Sequence, residues 1–272
     1  MTTLAHIFQP RARAGSGLAA STVAITRRAA LRYVRTPQLI VMATLQMSLF
    51  FLIYRYMFGG AIHADGIPYV DFLVPGFVAT GVLFSGLGAA VATAEDLEKG
   101  FVDRLRSLPI PRSAVLCARA LADTAILTLA TAVTVGIAFA VGFRLHGSVA
   151  DGLAAFGLVV VFGFAFEWLF VAMGLLAGTA QGAQGMGMIV FPLAFVSSAY
   201  VPVGTMPGWL QVFAKHQPLT PMVDAVRSLT LGPHAAVELG HPSSYYVARA
   251  LVWAAAILAV FATVAVALYR RS

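Results

Sequence analysis

The chain has 272 residues, 60% of them hydrophobic and only 11% charged, whereas an ordinary soluble domain carries about 25% charged residues. A single soluble core of this length could not bury so much apolar surface, which excludes an ordinary soluble enzyme or binding domain and favours a lipid environment. The net charge of +7 comes from basic residues in blocks outside the long apolar runs, a pattern typical of membrane proteins and not of nucleic-acid binding. The single cysteine, Cys117, excludes an internal disulfide and a cysteine metal cluster.

Residues 1–37 are predicted to form a cytoplasmic N-terminal arm, and they lack the apolar core of a cleavable signal peptide. Within the arm, residues 21–35 read as a helix that the following Thr-Pro step terminates. Arg28, Arg32 and Arg35 share one face of that helix, which suits an interfacial position with the cations toward anionic lipid headgroups. A plain positive-inside anchor explains the same residues equally well.

Six apolar runs are candidates to cross the ~30 Å hydrocarbon core of a bilayer, which takes roughly 20 residues of α-helix. They span residues 38–58, 72–94, 124–143, 153–177, 186–203 and 250–269. The third helix is expected to begin earlier, near Ala114, and the fifth run is the shortest and contains Pro192. The sequence therefore predicts an all-α integral membrane protein in which residues 38–272 form a six-span domain.

The distribution of lysine and arginine predicts the orientation of these spans. With the N-terminus inside, the inner segments hold 13 basic residues and the outer segments hold 4. Because cytoplasmic segments carry the excess of basic residues, both termini are expected in the cytoplasm. Residues 95–113 then lie on the inner side, and the long, semi-apolar segment 204–246 lies on the outer side.

Residues 95–109 on the inner side are predicted to form a short amphipathic helix that ends at Pro109. Its apolar stripe recurs at helical spacing and consists of Leu97, Phe101, Leu105 and Leu108. The opposite face mixes acidic and basic side chains in nearly equal numbers, whereas a helix that rests on a membrane favours basic ones. This composition favours a helix that docks its stripe into a groove of a soluble partner. A helix lying on the membrane surface is the alternative.

Glu167 lies near the middle of the fourth run, where an ionised carboxylate costs several kcal/mol unless it is protonated, paired or hydrated. It is therefore expected to face the bundle interior, a cavity or another subunit. In one interpretation it contacts cargo or a proton, and in the other it is a protonated packing residue. Arg119 and Asp123 have the spacing of a helix pair at the inner interface. Close helix packing is expected where glycine recurs at every fourth position, at Gly174, Gly178 and Gly182.

Residues 204–231 are too apolar for an ordinary loop and predict two short helices that dip into the outer leaflet as re-entrant segments. Trp209, Leu210 and Phe213 fall on one helical face, with Trp209 as an interfacial anchor. A small extracellular cap is the alternative. The six histidines of the chain have no ligand spacing, so no metal site is expected.

Two stretches of the chain carry motifs that occur in a fixed order. The first lies between the second and third predicted spans and consists of Glu95, Glu98-Lys99-Gly100, Asp103-Arg104-Leu105 and Leu108-Pro109. The second lies in the final third and consists of Phe191-Pro192-Leu193, Ser197-Ser198, Met206-Pro207-Gly208-Trp209, Gln217-Pro218-Leu219-Thr220 and Arg227. Together they resemble the cytoplasmic signature and the final third of type-2 ABC exporter permeases, and most closely the daunorubicin-resistance-like members. Phe101 departs from the pattern, since the family commonly has a small hydroxyl residue there.

The resemblance implies a permease that works as a homo- or heterodimer with two separate ATPase subunits, which bind ATP and Mg²⁺. These subunits would hold residues 95–109 as a coupling helix, through Glu95, Leu97, Glu98, Gly100, Phe101, Arg104, Leu105 and Leu108. The transport path would include Glu167, Trp209 and Phe213. The cargo would be an amphipathic drug, lipid or glycolipid that moves out across the bacterial cytoplasmic membrane.

The residues themselves also indicate that ATP is hydrolysed by another chain. A Walker A loop requires a Gly-Lys step before Ser or Thr, and neither Lys99 nor Lys215 follows a glycine. The chain is therefore expected not to be an enzyme and to hold no cofactor of its own. Three alternatives stay open: a polysaccharide-exporting permease of the same family, a membrane scaffold, and an ion-coupled carrier centred on Glu167. The last would require internal repeats, and none is evident.

Overall fold

A computed structural model describes residues 37–59, 67–100, 112–232 and 239–271, and these residues form an all-α fold. The helices are α1 (Pro37–Phe58), α2 (Tyr69–Glu98), α3 (Arg112–Ala140), α4 (Val149–Ala177), α5 (Ala180–Phe195), α6 (Gly208–His216), α7 (Leu219–Leu231) and α8 (Ser243–Arg271). A 3-10 turn at Val203–Thr205 precedes α6. The predicted interfacial helix over 21–35 lies outside the described residues.

Four helices in the described part of the chain are long and apolar enough to cross a membrane. They are Tyr69–Glu98, Val115–Ala140, Val149–Ala177 and Ser243–Arg270. They correspond to the second, third, fourth and sixth predicted runs. The third begins at Arg112, as expected from the sequence. The first run is helical as α1, whose apolar portion within the described residues is the shorter stretch Met47–Phe58.

The fifth predicted run, 186–203, is wrong at both ends. Its helix α5 begins at Ala180, where the Thr179 hydroxyl accepts a hydrogen bond from the backbone N–H of Gly182, and it ends at Phe195. Pro192 lies inside the last turn and cannot donate a backbone hydrogen bond there. With 16 residues, α5 is about 24 Å long, less than the ~30 Å hydrocarbon core.

Helix α4 is the centre of the bundle and packs against α2, α3, α5, α7 and α8. It is hydrophobic on all sides, as a helix surrounded by other helices must be. Its stacked rings of Phe162 and Phe166, with Phe170 one turn further on, are fully buried in the main core. A second cluster joins α3, α4 and α8 through Leu116, Trp168 and Tyr269.

The two ends of the bundle differ in what they bring together. At one end, which we call the α2–α3 end, Leu97 near the end of α2 packs with the start of α3 and the ends of α4 and α8. At the other, which we call the α6–α7 end, the start of α2, the chain after α5, and the α3–α4 connection meet α7. The predicted inner and outer functional segments therefore lie at opposite ends of the molecule.

Only one of the three regularly spaced glycines serves close helix packing. A Cβ on Gly174 would lie 2.4 Å from the carbonyl oxygen of Ala90, so this glycine lets the α2 and α4 backbones meet. Gly178 instead ends α4 in the left-handed conformation at φ +70°, and Gly182 donates to the Thr179 cap of α5. The prediction of a three-residue packing motif is corrected to one packing position and two helix-end positions.

We expect Gly174→Val to destabilise the protein by about 1–3 kcal/mol, because the new side chain would drive α2 away from α4. Gly157→Val on the same helix is the matched control, since a Cβ there meets nothing within 4 Å. The measurement is the apparent unfolding temperature of each variant in the same detergent. Equal unfolding temperatures for the two variants would contradict the close approach.

Candidate functional site

The charged end of α2 is the first part of the predicted coupling segment. Nζ of Lys99 donates to Oε2 of Glu95 over 2.6 Å in an ion pair, with Lys99 exposed and Glu95 half-buried. The helix ends directly after them, because Gly100 adopts φ +64° and its N–H turns back to the carbonyl of Leu97. Residues Glu95 to Glu98 are thus the last turn of α2 and not the first turn of a separate helix, which corrects the predicted boundary.

The other predicted coupling residues divide into two groups. Leu97 is half-buried against the second core cluster, while Glu98 is exposed at the end of α2. Phe101, Arg104, Leu105 and Leu108 lie outside the described residues. The coupling role of both groups stays a prediction.

An ion-pair chain joins α2 to α3 beside this segment. Arg119 donates a short hydrogen bond to Asp96 on α2 and also lies 3.6 Å, Nε to Oδ2, from Asp123 one turn along its own helix. All three side chains are largely buried, so the pairing is screened less than a surface ion pair. These ion pairs fix the positions of the end of α2 and the beginning of α3, the two helix ends that flank residues 101–111.

Glu167 lies inside the bundle, with only 1% of its surface exposed. The hydroxyl of Ser85 on α2 donates to its Oε1 over 3.4 Å, while Oε2 has no hydrogen-bond partner among the described residues. Asp123 and Arg119 on α3 are the nearest charged groups. The carboxyl group therefore faces α2 and α3 within one subunit and does not face lipid, as its depth in the membrane requires.

A buried arginine organises the opposite end; the sequence analysis placed it among the outer basic residues and in the second motif, but did not predict its burial. Arg227 on α7 is 2% exposed, and its Nη2 donates to the carbonyl oxygens of Ser198 at 2.7 Å and Phe72 at 3.1 Å. Its guanidinium also lies 3.8 Å from the centre of the Phe72 ring. One side chain thus ties α7 to the start of α2 and to the chain that follows α5.

Asp224 completes this polar cluster. Its Oδ1 lies 3.7 Å from Nη1 of Arg227 and accepts a 2.7 Å hydrogen bond from the hydroxyl of Ser198. Burial raises the pKa of Asp224, and the charge of Arg227 opposes that rise. The sequence signal for this cluster is an Asp–Arg pair at i, i+3 in a helix that has no other charged residue.

Trp209 and Phe213 lie together on the exposed face of α6, as predicted, while Leu210, which was predicted on the same face, is half-buried. Trp209 is 76% exposed, whereas Ala214 on the opposite face is fully buried. The side-chain amide of Gln211 donates to the backbone carbonyls of Gly204 and Met206, which holds α6 onto the preceding 3-10 turn. The arrangement presents an apolar face outward, suited to an interface with lipid or another subunit.

The described residues contain no group of three or more histidines, cysteines, aspartates or glutamates that could hold a metal ion. The polar clusters that are present pair charges with one another and with backbone carbonyls. That arrangement fixes the positions of the helices at both ends of the bundle.

Residues 20–231 match the family described as ABC-2 type transporter. The chain is 31% identical over 244 residues to the daunorubicin resistance ABC transporter permease protein DrrB1 of Streptomyces coeruleorubidus, covering 89% of this chain and 83% of that protein. It is 26% identical over 259 residues to the probable doxorubicin resistance ABC transporter permease protein DrrC of Mycobacterium tuberculosis, covering 93% and 89%. Nodulation protein J of Sinorhizobium fredii is 29% identical over 177 residues, covering 61% and 64%.

We expect Arg227→Met to destabilise the protein by about 3–5 kcal/mol, because it removes a buried cation that donates to two carbonyls and leaves the buried Asp224 carboxyl group without its paired charge. The stability of Arg227→Lys should lie between that of Arg227→Met and that of the wild type, since an ammonium cannot reach both carbonyls as a guanidinium does. Arg249→Met is the comparison, because Arg249 also acts on the charge of Asp224 but its own contacts are an exposed 3.2 Å hydrogen bond to the Lys215 carbonyl and a 5.6 Å approach to the Tyr245 ring. The measurement is the unfolding temperature of all three variants in detergent. If Arg227→Met lowers that temperature no more than Arg249→Met does, Arg227 does not stabilise this end of the molecule.

Glu167→Gln should leave folding unchanged, because an amide fits the same space and can accept the Ser85 hydrogen bond without a charge. Glu167→Lys should lower the amount of folded protein in the membrane severely, since a buried cation at this depth costs at least about 2.5–3.5 kcal/mol. The measurement is the folded fraction in detergent extracts by size-exclusion chromatography. Wild-type yield of the lysine variant would mean that Glu167 reaches water or lipid headgroups.

Proposed function

The chain belongs to the ABC-2 type transporter family, as a multi-pass membrane permease, and on that premise we propose that it is one half of an ATP-driven exporter. Two separate ATPase subunits bind ATP and Mg²⁺ and grip the segment between α2 and α3. A second permease subunit completes the transport path. The cargo is an amphipathic molecule that leaves the cell across the bacterial cytoplasmic membrane.

The observation that carries this proposal is the contrast between the two ends of the bundle. At the α2–α3 end, Asp96 and Arg119 clamp two long helices on either side of the predicted amphipathic segment. A pull on that segment would move α2 and α3 directly, and both helices reach the opposite end. At the α6–α7 end, α6 presents Trp209 and Phe213 outward, where lipid or cargo would meet them.

The proposed topology has six crossings with both termini in the cytoplasm. Helices α1, α2, α3, α4 and α8 cross fully, and α5 crosses with the help of the chain that follows it. Helices α6 and α7 form the re-entrant pair in the outer leaflet. The support is the ratio of 13 inner to 4 outer basic residues, which places the α2–α3 end in the cytoplasm.

The second permease subunit would cover an apolar stripe on α1. Val41, Leu45, Leu49 and Ile53 recur every four residues and are all exposed in the single subunit. Such a stripe is either in contact with lipid or buried by another helix. A homodimer or a heterodimer of related subunits would bury it, and a path for cargo would then lie between the two copies.

The proposed cargo is a drug-like amphipathic compound, because the names of two relatives refer to daunorubicin and doxorubicin resistance. Lipids and glycolipids share that chemistry and are the alternative within the same proposal. Glu167 acts in this proposal as a packing residue, since its carboxyl group is enclosed by α2, α3 and α4 of one subunit. That enclosure disfavours an ion-coupled carrier centred on Glu167.

Phe101→Asp should weaken binding of the partner ATPase by more than tenfold. Burial of a large apolar side chain contributes roughly 1.5–3 kcal/mol, and 1.4 kcal/mol corresponds to one decade in affinity. Asp103→Asn on the predicted opposite face is the control and should change affinity little, because exposed ion pairs are worth under ~1 kcal/mol. The measurement is copurification of the ATPase with each variant, followed by cargo-stimulated ATP hydrolysis. Full association and stimulation with Phe101→Asp would show that this segment is not the coupling element.

A further inference from the structure

A cavity of about 300 Å³ lies between α2, α3, α4 and α7 near the α6–α7 end. Val78, Val135, Phe139, Phe156 and Val226 are among the residues that line it. Its size is at the lower end of the range for small-molecule sites. It lies apart from the charged α2–α3 end, from Glu167 and from the exposed face of α6, so none of the roles proposed above uses it.

The lining of the cavity is apolar almost throughout. Its one polar side chain is Thr230, whose hydroxyl donates to the carbonyls of Val226 and Arg227 in its own helix. Water would find few partners there, and apolar cavities of this kind stay dry or bind apolar ligands. Val149 and Leu153 belong to the lining and are 75% and 69% exposed, so the cavity opens on the outer surface of the bundle.

An exposed cation stands beside this opening. Arg144 lies between the lining residues Phe143 and Leu145, and its Nη1 donates to the carbonyls of Phe139 and Phe143 at the end of α3. Its backbone N–H donates to Oδ1 of the buried Asp71 at 2.9 Å, which holds the connection in place. A guanidinium has five N–H donors, and two carbonyls use only part of them.

These positions match the two ends of a phospholipid. The connection between α3 and α4 joins two helices long enough to span, so Arg144 lies at the depth of the headgroups and the cavity lies deeper, among acyl chains. A guanidinium binds phosphate through paired hydrogen bonds. We propose that the cavity holds one acyl chain of an anionic phospholipid, with its phosphate bound by Arg144. This inference requires only that the chain spans a membrane, and it does not depend on the proposed transport.

The test is native mass spectrometry of the full-length protein, delipidated in detergent and titrated with phosphatidylglycerol or phosphatidylcholine of the same chain length. The wild type should bind one phosphatidylglycerol per subunit at least tenfold more tightly than phosphatidylcholine. Arg144→Gln should lose roughly tenfold in affinity for phosphatidylglycerol, the loss of one hydrogen-bonded charge. Arg249→Gln, which removes a cation on α8, should bind as the wild type does.

A second pair of variants fills the cavity or leaves it open. Gly152→Phe adds a ring at a lining position, where the new Cβ would lie 2.9 Å from Cδ2 of the lining residue Leu145, and should abolish the bound lipid. Gly157→Phe lies on the same helix in open space and should not. Equal affinity of the wild type for the two lipids, or full phosphatidylglycerol binding by Arg144→Gln, would overturn the proposal. Arg144 is exposed, so that variant keeps the test decisive even if Gly152→Phe fails to fold.

Discussion

The buried guanidinium of Arg227 is the contact on which one whole end of the molecule depends. Removing a cation from water carries a penalty of several kcal/mol, which only close partners can offset. Here the partners are two backbone carbonyls, the face of Phe72 and the carboxyl group of Asp224. Because those partners lie on α2, on the chain after α5 and on α7 itself, α7 is held against the bundle. That attachment also places the wall that α7 contributes to the cavity between α2, α3, α4 and α7.

The opposite end is built on a different principle. Arg119 joins α2 to α3 through the largely buried Asp96, while α2 and α4 pack closely at Gly174 and the stacked rings of Phe162 and Phe166 fill the core beside them. The long helices α2, α3, α4 and α8 run between the two ends as stiff elements. A force applied to the segment after Gly100 would therefore reach the region near Arg227 through packed helices. That is the physical route by which a separate ATPase would open a path on the far side.

Sequence periodicity predicted the long apolar helices well, because burial in lipid or in the bundle leaves a continuous hydrophobic run. It also located the charged α2–α3 end and the shared face of Trp209 and Phe213. It missed the first two turns of α8, which are amphipathic, and the true extent of α5, which begins after the Thr179 cap and ends at Phe195, within one turn of Pro192. The burial of Arg227 was not predictable, because two of its partners are backbone carbonyls 155 and 29 residues away. Every residue has a backbone carbonyl, so the sequence does not indicate which ones a side chain contacts.

The central claim is that the α2–α3 end faces the cytoplasm and is held there by a separate ATPase. Thiol labelling of Glu98→Cys, in a chain with Cys117 replaced by alanine, tests both parts with one impermeant maleimide. The account predicts no labelling in intact cells, rapid labelling in inside-out vesicles, and protection in those vesicles when the purified ATPase is added. Labelling from outside intact cells, or unchanged labelling of the vesicles with the ATPase bound, would contradict it.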